Sequence, residues 1–199
     1  DVMVHAMQYK MNQPNADPAQ LLPWMRFLRE CVHTVHWARV VASVGGLILA
    51  VQVVVKFMDD AENNAENNAE HTVSQEDQAL ALDLVRTSLQ LLADACFNCP
   101  QNCDHVFALH SVRIIHDLII RFKINPAITK ATCCLAINLC HNDTQRQKAI
   151  GSGILIDLVE SLKIFLPTFE DDAETTQAHQ YFGTGNSTNG GNGTNGTNG

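Results

Sequence analysis

Basic residues are scarce in this chain of 199 residues: 13 Lys and Arg stand against 21 Asp and Glu, for a formal net charge of −8. Neutralising a phosphate backbone needs a basic face, so the balance argues against nucleic acid as a ligand. It argues equally against a polybasic membrane-surface domain. Aromatic residues make up only 6% and charged residues 17%, while hydrophobic residues reach 46%. That apolar share excludes a wholly disordered chain. Strict alternation of apolar and polar residues, the mark of half-buried strands, occurs nowhere. Catalytic signatures are missing too. There is no Walker-type phosphate loop and no His-Glu-x-x-His, and Gly151-Ser-Gly lacks the rest of a nucleophile elbow. The Asp171-Asp172 pair falls in a polar tail, where no burial could tune a general acid. The expectation is a non-enzymatic, cofactor-free, all-α protein.

Seven cysteines are present, at Cys31, Cys96, Cys99, Cys103, Cys133, Cys134 and Cys140. An odd number, several set in apolar runs, fits reduced and buried thiols in a cytoplasmic protein better than a disulfide framework. Asn-x-Ser/Thr matches at Asn186, Asn192 and Asn195 arise automatically from a Gly-Thr-Asn repeat. The chain starts at Asp1 and closes on that repeat, which leaves open whether it is a fragment of a longer one.

Composition divides the chain. Residues 1–17 show no sustained period and are expected to pack poorly. Residues 59–77, DDAENNAENNAEHTVSQED, hold seven acids, no Lys or Arg and few apolar side chains. Such a stretch cannot offset its ordering entropy, which predicts a flexible loop. Residues 167–199 form an acidic and then Gly/Asn/Thr-rich tail, expected to be disordered. The loop and tail together hold 11 of the 21 acids and no Lys or Arg, so the remainder of the chain carries +3.

Between these segments the apolar residues recur at three- and four-residue spacing. Leu80, Leu84, Val85, Ser88, Leu91, Leu92, Ala95, Cys96 and Cys99 make one helical stripe, with Ser74-Gln-Glu-Asp77 as a capping box ahead of it and Pro100 as its stop. Val106 to Ile119 makes the next. Asn125-Pro126 starts another, with Asn as N-cap and Pro at the first helical position. Asp143-Thr144 is expected to cap a further helix, and Gly151 and Gly153 to mark a corner before the helix from Ile154 to Phe165.

The pattern repeats. With Phe122 laid on Phe165, 43 residues on, HVFALHSVRIIHDLIIRF falls over KAIGSGILIDLVESLKIF. With Asn98 laid on Asn142, 44 residues on, LLADACFNCPQN falls over LAINLCHNDTQR. Phe57, 65 residues before Phe122, closes a third such unit, ARVVASVGGLILAVQVVVKF, and the excess of about 22 residues is nearly the length of the acidic loop. Three repeats are inferred: a partial first at 18–58, and a second and third within 78–166, the loop intervening.

IGSGILIDLVESLKIF resembles the small-residue corner and Leu-rich second helix of an armadillo repeat, and TCCLAINLCHNDTQRQKAI resembles its third helix and following link, with Asn138-Leu139 in place of the family's Asn-Leu. Within armadillo-like proteins, Asn125-Pro126-x-Ile128 followed by Asn138-Leu139, together with ADACFNCPQN, is similar to the ataxin-10 family. Ala131 stands where that family carries an aromatic, and the acidic loop is foreign to it. The resemblance implies an armadillo-like superhelix (an α-solenoid) serving as a protein-binding scaffold. Its third helices would line a concave groove that takes a partner peptide or helix. By position it puts Arg29 and His33 of the first repeat, Arg86, Gln90 and Asp94 of the second, and Lys130, Cys134 and Asn138 of the third in that groove. Asn138 stands out, because an amide can both donate to and accept from an extended backbone.

Two rival readings stay open. Cys96-x-x-Cys99-x-x-x-Cys103-x-His105 offers four soft or imidazole ligands within ten residues, enough for zinc or for redox chemistry if they converge. Cys31-x-His33-x-x-His36 would place two imidazoles on one helical face. Residues 40–55, VVASVGGLILAVQVVV, could anchor the chain in a membrane. The run is shorter than the roughly 20 residues a span needs and is broken by Gly45-Gly46. The armadillo reading instead puts those glycines at a repeat corner and buries the following helix.

Overall fold

In a computed structural model the described residues are 2–13, 15–62, 74–109 and 111–165. They form ten α-helices and no strand. In chain order these are α1 (Val2–Met11), α2 (Pro18–Cys31), α3 (Val35–Ser43), α4 (Gly46–Glu62), α5 (Gln75–Cys96), α6 (Pro100–Ala108), α7 (Ser111–Arg121), α8 (Pro126–Leu139), α9 (Asp143–Gly151) and α10 (Ile154–Phe165). The expected tail and the middle of the acidic stretch, 63–73, lie outside the described residues.

Several helix starts have a local cause. The first N–H groups of a helix lack intrahelical partners, and a short polar side chain at the N-cap supplies one. Asp17 accepts from the Ala19 N–H at 2.8 Å, and Asn125 from those of Ala127 and Ile128 at 3.1 Å each. Ser74 caps α5, accepting from the Asp77 N–H at 3.1 Å. Its partner acid does not reach back to a backbone N–H; Asp77 instead accepts from the Ser74 hydroxyl at 2.7 Å.

Several boundaries differ from the sequence reading. Pro100 starts a helix rather than ending one. α5 stops at Cys96, Asn98 turns the chain at φ 52°, and Pro100 takes the first position of α6, where its missing N–H goes unneeded. Cys99 therefore belongs to the α5–α6 turn and not to the α5 stripe. Asn142 caps α9, accepting from the Gln145 N–H at 2.9 Å, in place of Asp143-Thr144. Residues 1–17, expected to pack poorly, hold α1, with Val4, Met7 and Met11 at 4% exposure or less. Three residues at i, i+3 and i+7 make a stripe too short to register as a period. The acidic stretch 59–77 is helical at both edges, since α4 runs on to Glu62 and α5 begins at Gln75.

Gly45 and Gly46 break the apolar run 40–55, as expected of a corner. Gly45 has φ +86°, and a Cβ on Gly46 would stand 2.5 Å from Val41 Cγ1 and 2.9 Å from the Val41 carbonyl oxygen. Among the described residues no single helix is long and apolar enough to cross a membrane; α3 and α4 would pass only together, and they are bent by 72° at the glycines. α4 is buried on most sides, with Leu47, Leu49, Ala50, Val53 and Val54 at 0%, while Gln52 and Val55 face out.

α5 is the hub, packed against α2, α4 and α8. Around it, helices three apart in chain order contact one another, and a polar link ties each such pair. Arg29 on α2 donates to Asp94 on α5 at 2.9 Å, across 65 residues. Asn102 on α6 donates to the Ala38 carbonyl of α3 at 3.2 Å, across 64. Arg121 on α7 pairs with Asp59 on α4, across 62. Further along, Asn138 on α8 donates to the Ala93 carbonyl of α5 at 2.8 Å, across 45. Gln145 on α9 donates to Asp104 on α6 at 2.6 Å, across 41, and His116 on α7 lies 3.4 Å from Asp157 on α10.

Candidate functional site

α2, α5 and α8 lie side by side, α5 in the middle, and these three helices carry all but one of the residues expected to line a groove. Their C-terminal ends come together. Arg29 is half-buried and spent on Asp94. His33 lies past the end of α2, exposed, its Nδ1 2.8 Å from the Glu30 carbonyl oxygen. With Glu30, Val32 and Phe97 these three line a cavity of about 310 Å³ between the ends of α2 and α5. His36 does not share a helical face with His33, because Thr34 caps a new helix between them, accepting from the Trp37 N–H at 3.3 Å.

Nearer the N-terminal end of α5, Arg86 bonds to Asp83, which also accepts from Arg26 of α2 at 2.5 Å. Burial would raise the Asp83 carboxyl, but the two guanidinium hydrogen bonds outweigh it and hold the group below its usual range. Arg86 is thus part of a clasp between α2 and α5. Gln90 is half-buried, and Lys130 and Cys134 are exposed on α8; none of the three lines either cavity described here.

The second cavity, of about 400 Å³, opens between the ends of α5 and α8. Asn138 and Ile137 line it from α8, His141 from just beyond, and Phe97, Cys96, Cys99 and Cys103 from the other side. Asn138 is half-buried and donates to the Ala93 carbonyl in the last turn of α5, which also accepts from the Phe97 N–H at 3.1 Å. Its amide nitrogen therefore helps close the helix pair and leaves its oxygen free of that task.

Cys96, Cys99 and Cys103 are each 1% exposed or less. The Cys103 Sγ lies 3.2 Å from both the Cys96 and the Asn138 carbonyl oxygens. A hydrogen bond from the Cys96 thiol, working against burial, lowers Cys103 below the ordinary thiol range. The same bond, then burial, raises Cys96. His105 sits half-buried on α6 and does not line this cavity. Among the described residues no group of three or more His, Cys, Asp or Glu side chains is placed to hold a metal ion.

Two side chains stand out that sequence reasoning passed over. Phe97 is 62% exposed and lines both cavities; Ile137 is 72% exposed beside the second. Phe97 lies on an apolar run and reads as core. Only the turn at Asn98, which takes it off the helix, brings it to the surface.

Compared with known proteins, the chain matches no family model. No curated protein and no solved structure is significantly similar to it.

Proposed function

We propose that residues 18–165 stack as three armadillo-like repeats and form a non-catalytic module that binds a partner peptide along the exposed face of α2, α5 and α8. The observation that carries the reading is the spacing of the inter-helix links. Like helices of consecutive repeats must meet at about one repeat length, and the bonds between α2 and α5, α3 and α6, and α4 and α7 fall at separations of 57 to 65 residues. Those between α5 and α8, and α6 and α9, fall at 41 to 45. A repeat stack in which each unit touches its neighbours accounts for both series, the longer one including the loop. The groove-lining helices of the three repeats are then α2, α5 and α8.

On that face the ionic side chains are largely paired with one another, so affinity comes from the exposed Phe97 and Ile137 flanked by two cavities. An exposed aromatic beside pockets is the kind of anchor that dominates interface energetics. The ligand is an extended segment with apolar side chains at two positions, its backbone bonding to the Asn138 amide oxygen and to His33.

The test is a selection of binders from a random peptide library on the wild-type protein, followed by affinity measurement on variants. Phe97→Ala and Ile137→Asp should each weaken an enriched peptide at least tenfold, and Leu155→Asp on α10 should leave it unchanged. No enrichment, or equal affinity for all three variants, refutes the groove.

A further inference from the structure

We propose that Cys96 and Cys103 form a reversible disulfide in response to peroxide. The pairing is set by the turn between α5 and α6. Cys96 is the last residue of α5, Asn98 reverses the chain in the left-handed region, and Pro100 starts α6 so that Cys103 comes back over the end of α5. The result is a Cys103 Sγ 3.2 Å from the carbonyl oxygen of Cys96. From ordinary bond lengths that sulfur is less than about 6 Å from the Cys96 Cα. Rotation about the Cys96 Cα–Cβ bond swings its own sulfur towards that of Cys103, and the bond closes once the two come to about 2.05 Å.

Access is the second requirement. Both thiols are sealed from bulk surface at 1% exposure, yet both line the cavity of about 400 Å³ that also holds Phe97, Ile137 and His141. A peroxide molecule is little larger than water and fits there, whereas a glutathione-sized oxidant does not reach two buried sulfurs.

The chemistry balances in two steps. The Cys103 thiolate attacks one oxygen of hydrogen peroxide; the O–O bond breaks, Cys103 becomes a sulfenic acid, and the departing hydroxide takes the thiol proton as water. The Cys96 sulfur then attacks Cys103 Sγ, the S–S bond forms as the S–O bond breaks, and the second hydroxide leaves with the Cys96 proton as water. Two thiols lose two electrons and one peroxide gains them. Cys103, lowered where Cys96 is raised, attacks first, and the same disulfide results if the order is reversed. Cys133 and Cys140 lack such a donor, and burial raises both above the ordinary thiol range.

The inference does not depend on the peptide-binding reading. In the reduced protein the Cys103 thiol can also donate to the Asn138 carbonyl at 3.2 Å. Closing the disulfide withdraws that donor, so oxidation is felt at the end of α8.

The experiment treats the full chain with a small excess of hydrogen peroxide, blocks remaining thiols with N-ethylmaleimide, and maps chymotryptic peptides without reduction. Cleavage after Phe97 separates Cys96 from Cys99 and Cys103. The expected product is a linked pair of peptides carrying Cys96 and Cys103, released by dithiothreitol. It should persist in Cys99→Ser and vanish in Cys103→Ser, with the helical circular dichroism of both variants matching wild type. Full alkylation of Cys96 and Cys103 after peroxide overturns the proposal. So does a link that survives Cys103→Ser and is lost in Cys99→Ser, or oxidation confined to the exposed Cys134. The wild-type map decides even if a variant fails to fold.

Discussion

Asn102 is the most consequential polar side chain of the fold. It is 3% exposed, and its amide nitrogen donates to the Ala95 carbonyl of α5 at 2.8 Å and to the Ala38 carbonyl of α3 at 3.2 Å, tying α6 to both. The two acceptors are not equivalent. Ala38 lies inside α3, where its carbonyl already has an intrahelical donor in reach, while the Ala95 carbonyl lies in the last turn of α5, past the reach of the intrahelical ladder. Asn102→Ala loses the bond to Ala38 at about 1 kcal/mol and leaves the buried Ala95 carbonyl unpaired at about 1–3 kcal/mol, which centres the total at about 3 kcal/mol. In a domain of this size that lowers the melting temperature by about 6–12 °C. Asn102→Asp keeps the shape and reverses the chemistry: at neutral pH a carboxylate faces two carbonyl oxygens with nothing to donate. The cost rises to about 4–5 kcal/mol, typical of an unpaired buried charge. Burial and those oxygens raise the folded-state pKa of the new acid above its unfolded value. The folded variant then holds its proton more tightly, so its deficit relative to wild type shrinks as pH falls through the raised pKa. Urea denaturation followed by circular dichroism, wild type and both variants, at pH 7 and pH 5 measures all of this. An Asn102→Asp variant within 0.5 kcal/mol of wild type at pH 7, or a deficit that grows on acidification, refutes the assignment.

Three further outcomes are expected. Gly46→Ala sets a methyl against Val41 side chain and backbone and should cost about 1–3 kcal/mol, whereas Gly151, helical with nothing within 4 Å of an added Cβ, should gain about 0.5–1 kcal/mol as Ala; paired thermal melts decide. Asp83 has a depressed folded pKa, so its contribution is present above the unfolded carboxylate value near 4 and is lost as pH falls through the folded one. The stability gap between wild type and Asp83→Asn, followed by urea titration, should therefore be open at pH 6 and close on acidification, and a gap that widens would refute the clasp. Leu158 and Leu162 share one helix at 8% and 43% exposure, so truncation to Ala should cost about 2–3 kcal/mol at the first and under about 1 kcal/mol at the second. Equal losses by denaturant titration would mean that something covers that face of α10 in solution.

Helix content was legible because the stripes are strong: the helix expected at Ile154 to Phe165 has those bounds in the structure, and Asn125-Pro126 caps and starts α8. What misled was punctuation. Pro100 can end a helix or begin one, and the choice rests on Asn98, a residue that enters the left-handed region more readily than most but advertises nothing on its own. That one turn removed Cys99 from a stripe, exposed Phe97 and brought Cys103 over Cys96. Asn142 and Asp143 are both good caps, and sequence cannot choose between neighbours when the turn geometry makes the selection. The expected groove residues landed on or beside three helices that do pack together, but their pairing could not be read from the chain. Asp94 and Asp83 hold Arg29 and Arg86 through contacts made only once α2 lies on α5.

That pairing changes what the charge distribution means. The chain outside its acidic stretches carries a small excess of cations, which on sequence alone invites an acidic ligand, the chain's own loop included. Of the cations on the α2–α5–α8 face, however, Arg26, Arg29 and Arg86 are each held by a carboxylate on α5, leaving Lys130 exposed on α8. Exposed ion pairs also weaken attraction at a distance, because an ion pair presents a dipole rather than a net charge and salt screens what remains. An acidic segment gains little there. The edges of the loop are moreover already committed, residues 59–62 to the end of α4 and Ser74 to Asp77 to the cap and first turn of α5. For the proposed peptide ligand, selectivity on this face would therefore rest on the shape around Phe97 and Ile137, with the ion pairs fixing the helices that present them.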